Sequence, residues 1–279
     1  MTKKKVRDPE APPPIISELY GGEVVIKFDP IAKRNRYVVT DRGEVLKPAP
    51  PSVTTITGLA DFGKSSALQS WAVRMAIEVL RERIKPDEIH GAMFLEQAFQ
   101  DAQANYRNVT KAAADTGTLT HAALERHFTD PESPPPLADT PVRACFDGAL
   151  DWYNQREIET IGNEIRVYSR KHKTTGTLDH LAKIGGVVSL LDFKAAKHLY
   201  TPYVMQLAAY RAFYMEEHPD VNIEQAWILQ LHDDGAKPYK YTSEQLDAAY
   251  EAFLNLRGLY EWNRNLGKME QEKKDWILE

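Results

Sequence analysis

The run VVSLLDFK (187–194) is an apolar strand that closes on two charges, Asp192 and Lys194. Just upstream, GTLDHLAKI (176–184) is joined to it by Gly185-Gly186, a pair that supplies the positive φ of a two-residue hairpin turn. Pairing Ile184 with Val187 sets Asp179 opposite Asp192 and puts Lys194 on the same face as Asp192. Directly opposed carboxylates, about 4.5–5.5 Å apart at Cβ, repel unless a cation lies between them. Hard oxygen ligands suit Mg2+ or Mn2+. A neighbouring ammonium then serves to activate a water or to neutralise developing phosphate charge. The same acid-x-lysine triplet recurs at Glu272 and Lys274, but in a polar tail, so context rather than the triplet carries the signal. A strand end surfacing with an ordinary ion pair is the competing reading.

Three further positions join this set. In TPYVMQLAAYRAFY, Gln206 and Tyr210 fall four residues apart on one helical face, and a glutamine in an apolar stretch needs a partner if buried. His121 follows Asp115-Thr116-Gly117-Thr118 among Leu119, Ala122, Ala123 and Leu124, where it is either a satisfied core histidine or a ligand. Glu164 opens the strand NEIRVYS (163–169). The turn after it, Arg170, Lys171, His172 and Lys173, is either a solvated tip or a track for a phosphate backbone. Tyr200 and Tyr203 are candidates for base stacking or for packing.

Elements must position these residues. VVIKF (24–28) and RYVVT (36–40) predict a hairpin, and KPAPP (47–51) leads into the β-branched run SVTTIT. Helical spacing covers 64–84, roughly 92–107, 110–128 and 142–155, with a turn-rich loop at 131–141. Thr201-Pro202 predict an N-cap and N1 proline for a helix to about 217. QAWILQL (225–231) reads as a strand, and Thr242 with Gln245 as a capping box opening a helix to about 265. Helix, three strands, helix, strand predicts an α/β sheet covered by helices.

Taken together, these residues resemble the PD-(D/E)XK nuclease superfamily, in particular its RecB-like and phage-type exonuclease branch. The resemblance rests on Gly176-Thr177-Leu178-Asp179, Leu191-Asp192-Phe193-Lys194, the Gln206…Tyr210 helix motif, GTLTH (117–121), and PSVTTIT (51–57) followed by a helix with Trp71. That last segment is similar to the corresponding part of phage exonucleases and the mitochondrial genome-maintenance exonuclease. The resemblance spans about residues 51–234. It implies a restriction-endonuclease-like core, α-β-β-β-α-β, with a mixed sheet flanked by helices and a helical N-terminal extension.

It also implies a metal held by His121, Asp179, Asp192, the Phe193 carbonyl and Glu164, with Lys194 as the catalytic lysine. Gln206 and Tyr210 would orient the lysine region or contact the substrate strand, and Ser52 and Thr54 would meet a phosphate. Arg170, Lys171 and Lys173 would follow the DNA backbone. Two departures stand out: the middle acid is Asp192 where many members have glutamate, and Ala195 follows the lysine where a threonine is frequent.

The composition is compatible. With 279 residues, 43% hydrophobic and 27% charged, the chain is long enough for one large core. A single cysteine, Cys145, excludes an intramolecular disulfide framework and a cysteine-ligated cluster, which favours a reducing compartment. A net charge of −5 argues against a protein that coats DNA, though not against an enzyme that grips it locally. No apolar run is long enough to span a membrane.

The expected organisation is a disordered arm over 1–15 and one nuclease domain over 16–279. Within it lie a hairpin and helical arch (16–130), the catalytic core (142–235) and a C-terminal helix (242–265). The expected activity is metal-dependent hydrolysis of phosphodiester bonds from DNA ends, in phage-type recombination, replication or repair. The expected setting is the cytoplasm of a bacterial or phage-infected cell, with DNA (duplex ends or single strands) as partner and a single-strand annealing protein beside it. Alternatives are a structure-specific endonuclease on the same core and a non-catalytic nucleic-acid scaffold. A Schiff-base enzyme using Lys194 fits less well, because two carboxylates would hold that lysine charged.

Overall fold

The computed structural model describes residues 12–32, 36–60 and 64–277. Most of the expected N-terminal arm lies outside these residues, but its last position does not: Ile15 already pairs with Phe28. Four antiparallel strands follow, β1 (Ile15–Leu19), β2 (Val24–Phe28), β3 (Tyr37–Asp41) and β4 (Glu44–Val45). The predicted hairpin is β2 with β3. Its inward Val24, Ile26 and Val39 are fully buried against Leu19 and Tyr168, while Lys27 points out. Period-two patterning thus seats this small sheet on a residue from the centre of the chain.

The β-branched run after the proline link forms α1 (Val53–Thr57). Ser52 caps it by accepting the Thr55 N–H at 3.1 Å, and burial of Val53 and Ile56 outweighs their strand propensity. Next come α2 (Lys64–Arg83) and α3 (Ala92–Thr129). The two helices expected at 92–107 and 110–128 are one helix of 38 residues. The polar residues that suggested a break are satisfied inside it: Thr110, Thr116 and Thr118 each donate a hydroxyl to the carbonyl four residues back, at 2.8, 3.0 and 3.0 Å.

The second sheet has five strands in the order β5 (Ile158–Ser169), β6 (Thr174–Ile184), β7 (Val187–Lys194), β8 (Gln225–His232) and β9 (Gly235–Thr242). It is preceded by α4 (Pro141–Asn154). Only β7 and β8 are parallel, joined by the crossover helix α5 (Thr201–Glu217), and α6 (Ser243–Ile277) follows β9. The predicted succession of helix, three strands, helix and strand is present, with β9 as an additional edge strand. The chain is therefore mixed α/β.

One face of the sheet buries Leu178, Leu181, Leu190 and Ile228 under α5, α6 and α1; the other buries Leu191, Phe193 and Leu229 under α3 and α4. Coverage on both faces explains the nearly unbroken apolar run of β7.

Boundaries shift at two helices. Tyr200, not Thr201, is the N-cap of α5, so Pro202 sits one place further in than expected. The box at α6 does form, with Thr242 N–H donating to Gln245 Oε1 at 3.0 Å. That helix runs to Ile277 rather than 265, because the polar tail is built of good helix formers. Among the described residues no helix is long and apolar enough to cross a membrane.

Candidate metal centre and its cleft

The glycine turn behaves as its sequence requires. Gly185 and Gly186 take φ of 58° and 80°, and the hairpin pairs Ile184 with Val187 through to His180 with Leu191. There the ladder stops. Asp179 pairs with neither neighbouring strand: Asn163–His180 and Ile165–Leu178 bracket it on one side, and on the other its carboxylate accepts the Phe193 N–H at 3.1 Å. Leu178 enters the core beneath α5, whereas His180 lies among Phe128, Tyr153 and Phe193 on the opposite side. The pleat is interrupted at Asp179. Across from it, Glu164 has φ of 48°, a left-handed backbone that a non-glycine residue adopts only when its surroundings hold it there. The expected face-to-face pairing of Asp179 with Asp192 therefore does not form.

Asp179 instead meets His121 and Glu164. One ligand atom from each of these three lies within 4.8 Å of the others. His121 reaches the sheet from the buried turn of α3, anchored by Ala123 and Leu124. Its Nε2 lies 2.6 Å from the Phe193 carbonyl oxygen, and its Nδ1 3.4 Å from Asp179 Oδ2. A neutral imidazole has one proton for these two oxygens, which leaves a nitrogen lone pair facing an acceptor. Burial and the Asp179 carboxylate push the Glu164 carboxyl up to about 7. Two crowded carboxylates, an imidazole and a carbonyl form a donor set that fits a divalent cation, and a cation would relieve this crowding.

Two residues beside this set escaped the sequence reading. Arg166, almost fully buried, donates to the Glu164 carbonyl and, at 3.2 Å, to Glu164 Oε2, while its guanidinium lies 4.5 Å from the Phe28 ring centre. An arginine pointing inward two positions from an acid was the available signal. Glu125, one helical turn beyond His121, adds negative charge near Glu164.

Asp192 is not in the cluster of three. It is 1% exposed, and Lys194 Nζ spans its two oxygens at 2.8 and 2.7 Å. Burial raises the Asp192 carboxyl above its usual range, against the pull of the ammonium. At Lys194, burial is outweighed by Asp192 and Asp179, which hold the ammonium charged. The aromatic neighbour of Lys194 is Tyr203, 5.1 Å away at the ring centre. Gln206 and Tyr210 make no hydrogen bond to the lysine. Both are buried, and Gln206 Nε2 donates to the Tyr210 hydroxyl at 2.9 Å.

A cleft of about 580 Å³ opens beside Glu164, with Gln206 and Tyr210 in its wall. Ser52 and Thr54 line it too, from the first turn of α1, where their hydroxyls bond to each other at 2.9 Å. The small sheet contributes Phe28, Arg36 and Tyr37, and the Tyr37 hydroxyl lies 2.8 Å from Thr177 Oγ1. The basic turn lies at the far end of β6, five strand positions from Asp179. Arg170 is not available there for a backbone phosphate: it is paired with Glu23 at 2.7 Å and Asp41 at 2.6 Å and stacked on Tyr20. Lys171 and Lys173 are exposed.

No protein-family model matches the chain, and no curated protein matches it. Among solved structures, one titled "Crystal structure of SSO0001" aligns with 39% of this chain and 54% of its own, at 14% identity and a TM-score of 0.20. This chain therefore spans about half of that structure, and a likeness this slight carries no argument about fold or activity.

Proposed function

We propose that the chain is a divalent-metal-dependent deoxyribonuclease of the PD-(D/E)XK type that acts from DNA ends. One observation carries the reading. His121, Glu164 and Asp179, from a helix and two strands, converge beside the Phe193 carbonyl, with the buried Asp192–Lys194 pair adjoining on β7. All of these but Glu164 belong to the motifs on which the sequence resemblance rests; Glu164 is an acidic position that the resemblance implies. A divalent cation held there supplies Lewis acidity to a phosphodiester, for which Mg2+ or Mn2+ is suited.

The protein's own groups then divide the remaining work. Asp179 and Glu164 supply anionic oxygens, and His121 and the Phe193 carbonyl supply neutral donors. Lys194 presents a fixed positive charge toward developing phosphate charge, and Asp192 holds it in place. Gln206 and Tyr210 support the cleft wall as a pair rather than through the lysine.

The test uses linear duplex, covalently closed circular duplex and end-labelled single strands, each with Mg2+, Mn2+ or EDTA. Cation-dependent loss of linear but not circular DNA, abolished in Lys194→Ala and His121→Ala, is the expected result. Cleavage of circles would replace this reading with an endonuclease. Binding without degradation in either metal would leave a scaffold.

A further inference from the structure

The cleft beside Glu164 does not end at its own wall. Pro50 and Pro51 also line a second hollow of about 380 Å³, bordered by Lys47, Lys173, Arg257 and Arg264. This shares Lys173 and Arg257 with a third hollow that reaches Lys171. Through these shared residues the three hollows adjoin one another as a groove along the proline link, α6 and the 170–173 turn. Helix α6 is fastened to that turn, since Arg257 Nε donates to the His172 carbonyl at 3.0 Å and to Thr174 Oγ1 at 3.2 Å.

The charge along this path runs against that of the molecule. In the two outer hollows five cations face one carboxylate, Glu261, on a chain whose net charge is −5. Arg257 is committed to the turn and to Glu261 at 2.9 Å. Lys47, Lys173 and Arg264 make no ion pair among the described residues. Lys173 has φ of 47°, so the turn holds this exposed lysine in a left-handed backbone at the groove's edge. Three cations from three separate elements, left unneutralised along one channel, concentrate positive potential there.

We propose that this groove carries the phosphate backbone of the nucleic-acid strand whose end enters the cleft, with Lys47, Lys173 and Arg264 as its contacts. The inference rests on the nuclease reading and adds the path by which the substrate strand leaves the metal centre. Arg170, of the same turn, is excluded from that path by its own carboxylate partners.

The test measures anisotropy of fluorescein-labelled single-stranded and duplex oligonucleotides in EDTA across a salt series. It compares the wild-type chain with a K47A/K173A/R264A triple variant. A second triple variant, K27A/K237A/K240A, removes the same charge from exposed strand positions elsewhere, and thermal unfolding checks that both triples fold. The groove variant is expected to flatten the slope of log affinity against log salt by about two, at roughly 0.7 per lost phosphate contact on a single strand. The second triple should keep the wild-type slope. The oligonucleotide that shows the larger change identifies whether one strand or a duplex lies in the groove.

Equal losses in both triples, or no change in the groove variant, while the wild-type chain still degrades linear DNA, would overturn the groove and leave the nuclease reading standing. Groove-dependent binding without degradation would do the reverse. Failure of the wild-type chain to bind either oligonucleotide would overturn both.

Discussion

Tyr210 occupies the space that a side chain at Gly176 would need: a Cβ there would fall inside contact distance of the Tyr210 ring. The glycine three residues before Asp179 is thus set by the helix across from it. Gly176→Ala must displace a buried ring, so we expect a loss of about 1–3 kcal/mol, read as a lowered midpoint in thermal or urea unfolding. Tyr210→Phe keeps the ring and removes the hydroxyl. It should destabilise through the stranded Gln206 amide, by about 1–3 kcal/mol, without the Gly176 clash.

The Asp192–Lys194 pair complicates the test of its own lysine. Removing one member of a buried pair leaves an uncompensated charge and costs about 3–5 kcal/mol. Lys194→Ala is therefore expected to lower the unfolding midpoint as well as activity. The double variant D192N/K194M removes both charges, and should recover much of the stability while remaining inactive. Recovery of activity with stability would show that the lysine acts only through the fold.

Metal linkage should depend on pH in a definite direction. With the Glu164 carboxyl at about 7 in the cation-free protein, binding must displace a proton below that pH. The rise in unfolding midpoint produced by Mn2+ should be larger at pH 8 than at pH 5.5. Because the donor set includes an imidazole, Mn2+ should stabilise more than Mg2+, and His121→Ala should erase that difference. An equal response to both cations in the wild type would remove His121 from the ligand set.

Glu164 of the centre and His180 beside it pull stability in opposite directions with pH. His180 is buried, and burial lowers its imidazole to about 4. Between about 4 and 6.5 the unfolded chain binds the extra proton, so stability rises with pH and is lost on acidification. Glu164 is raised to about 7, so between about 4.5 and 7 the folded chain binds the extra proton and stability falls as pH rises. In the wild type these slopes oppose each other over their shared window. Urea unfolding from pH 4 to 8 should show a steeper fall with rising pH in His180→Gln and a steeper gain in Glu164→Gln. Asp192 contributes with the same sign in both variants and drops out of the comparison.

What could be read in advance follows the range of the interactions. The Gly185-Gly186 turn and the alternation of β7 specify the hairpin locally, so its register is legible as far as His180 and Leu191. The break one residue further on depends on Glu164 adopting a left-handed backbone and on Asp179 turning to the Phe193 N–H, and neither leaves a periodic trace. The pairing of Arg170 was illegible for a related reason. Its acid partners, Glu23 and Asp41, lie more than a hundred residues upstream on a sheet whose docking onto Tyr168 no local pattern announces. Motif order, by contrast, picked out His121 and Asp179, and the resemblance added Glu164; three elements bring these side chains together.

The length of α3 has a mechanical consequence. His121 lies beside the turn that Ala123 and Leu124 bury, while the helix begins at Ala92, so roughly 43 Å of helix lies beyond His121 at 1.5 Å per residue. A tilt of about 10° about the buried turn would sweep the far end through roughly 7 Å, yet move His121 by only about half an ångström. The far end also carries α2, tied to α3 by the Arg83–Asp101 ion pair and the Trp71–Tyr106 rings. Whatever pushes on that outer hairpin works a long lever arm whose fulcrum is the buried turn beside His121, so large excursions outside leave that side chain almost still.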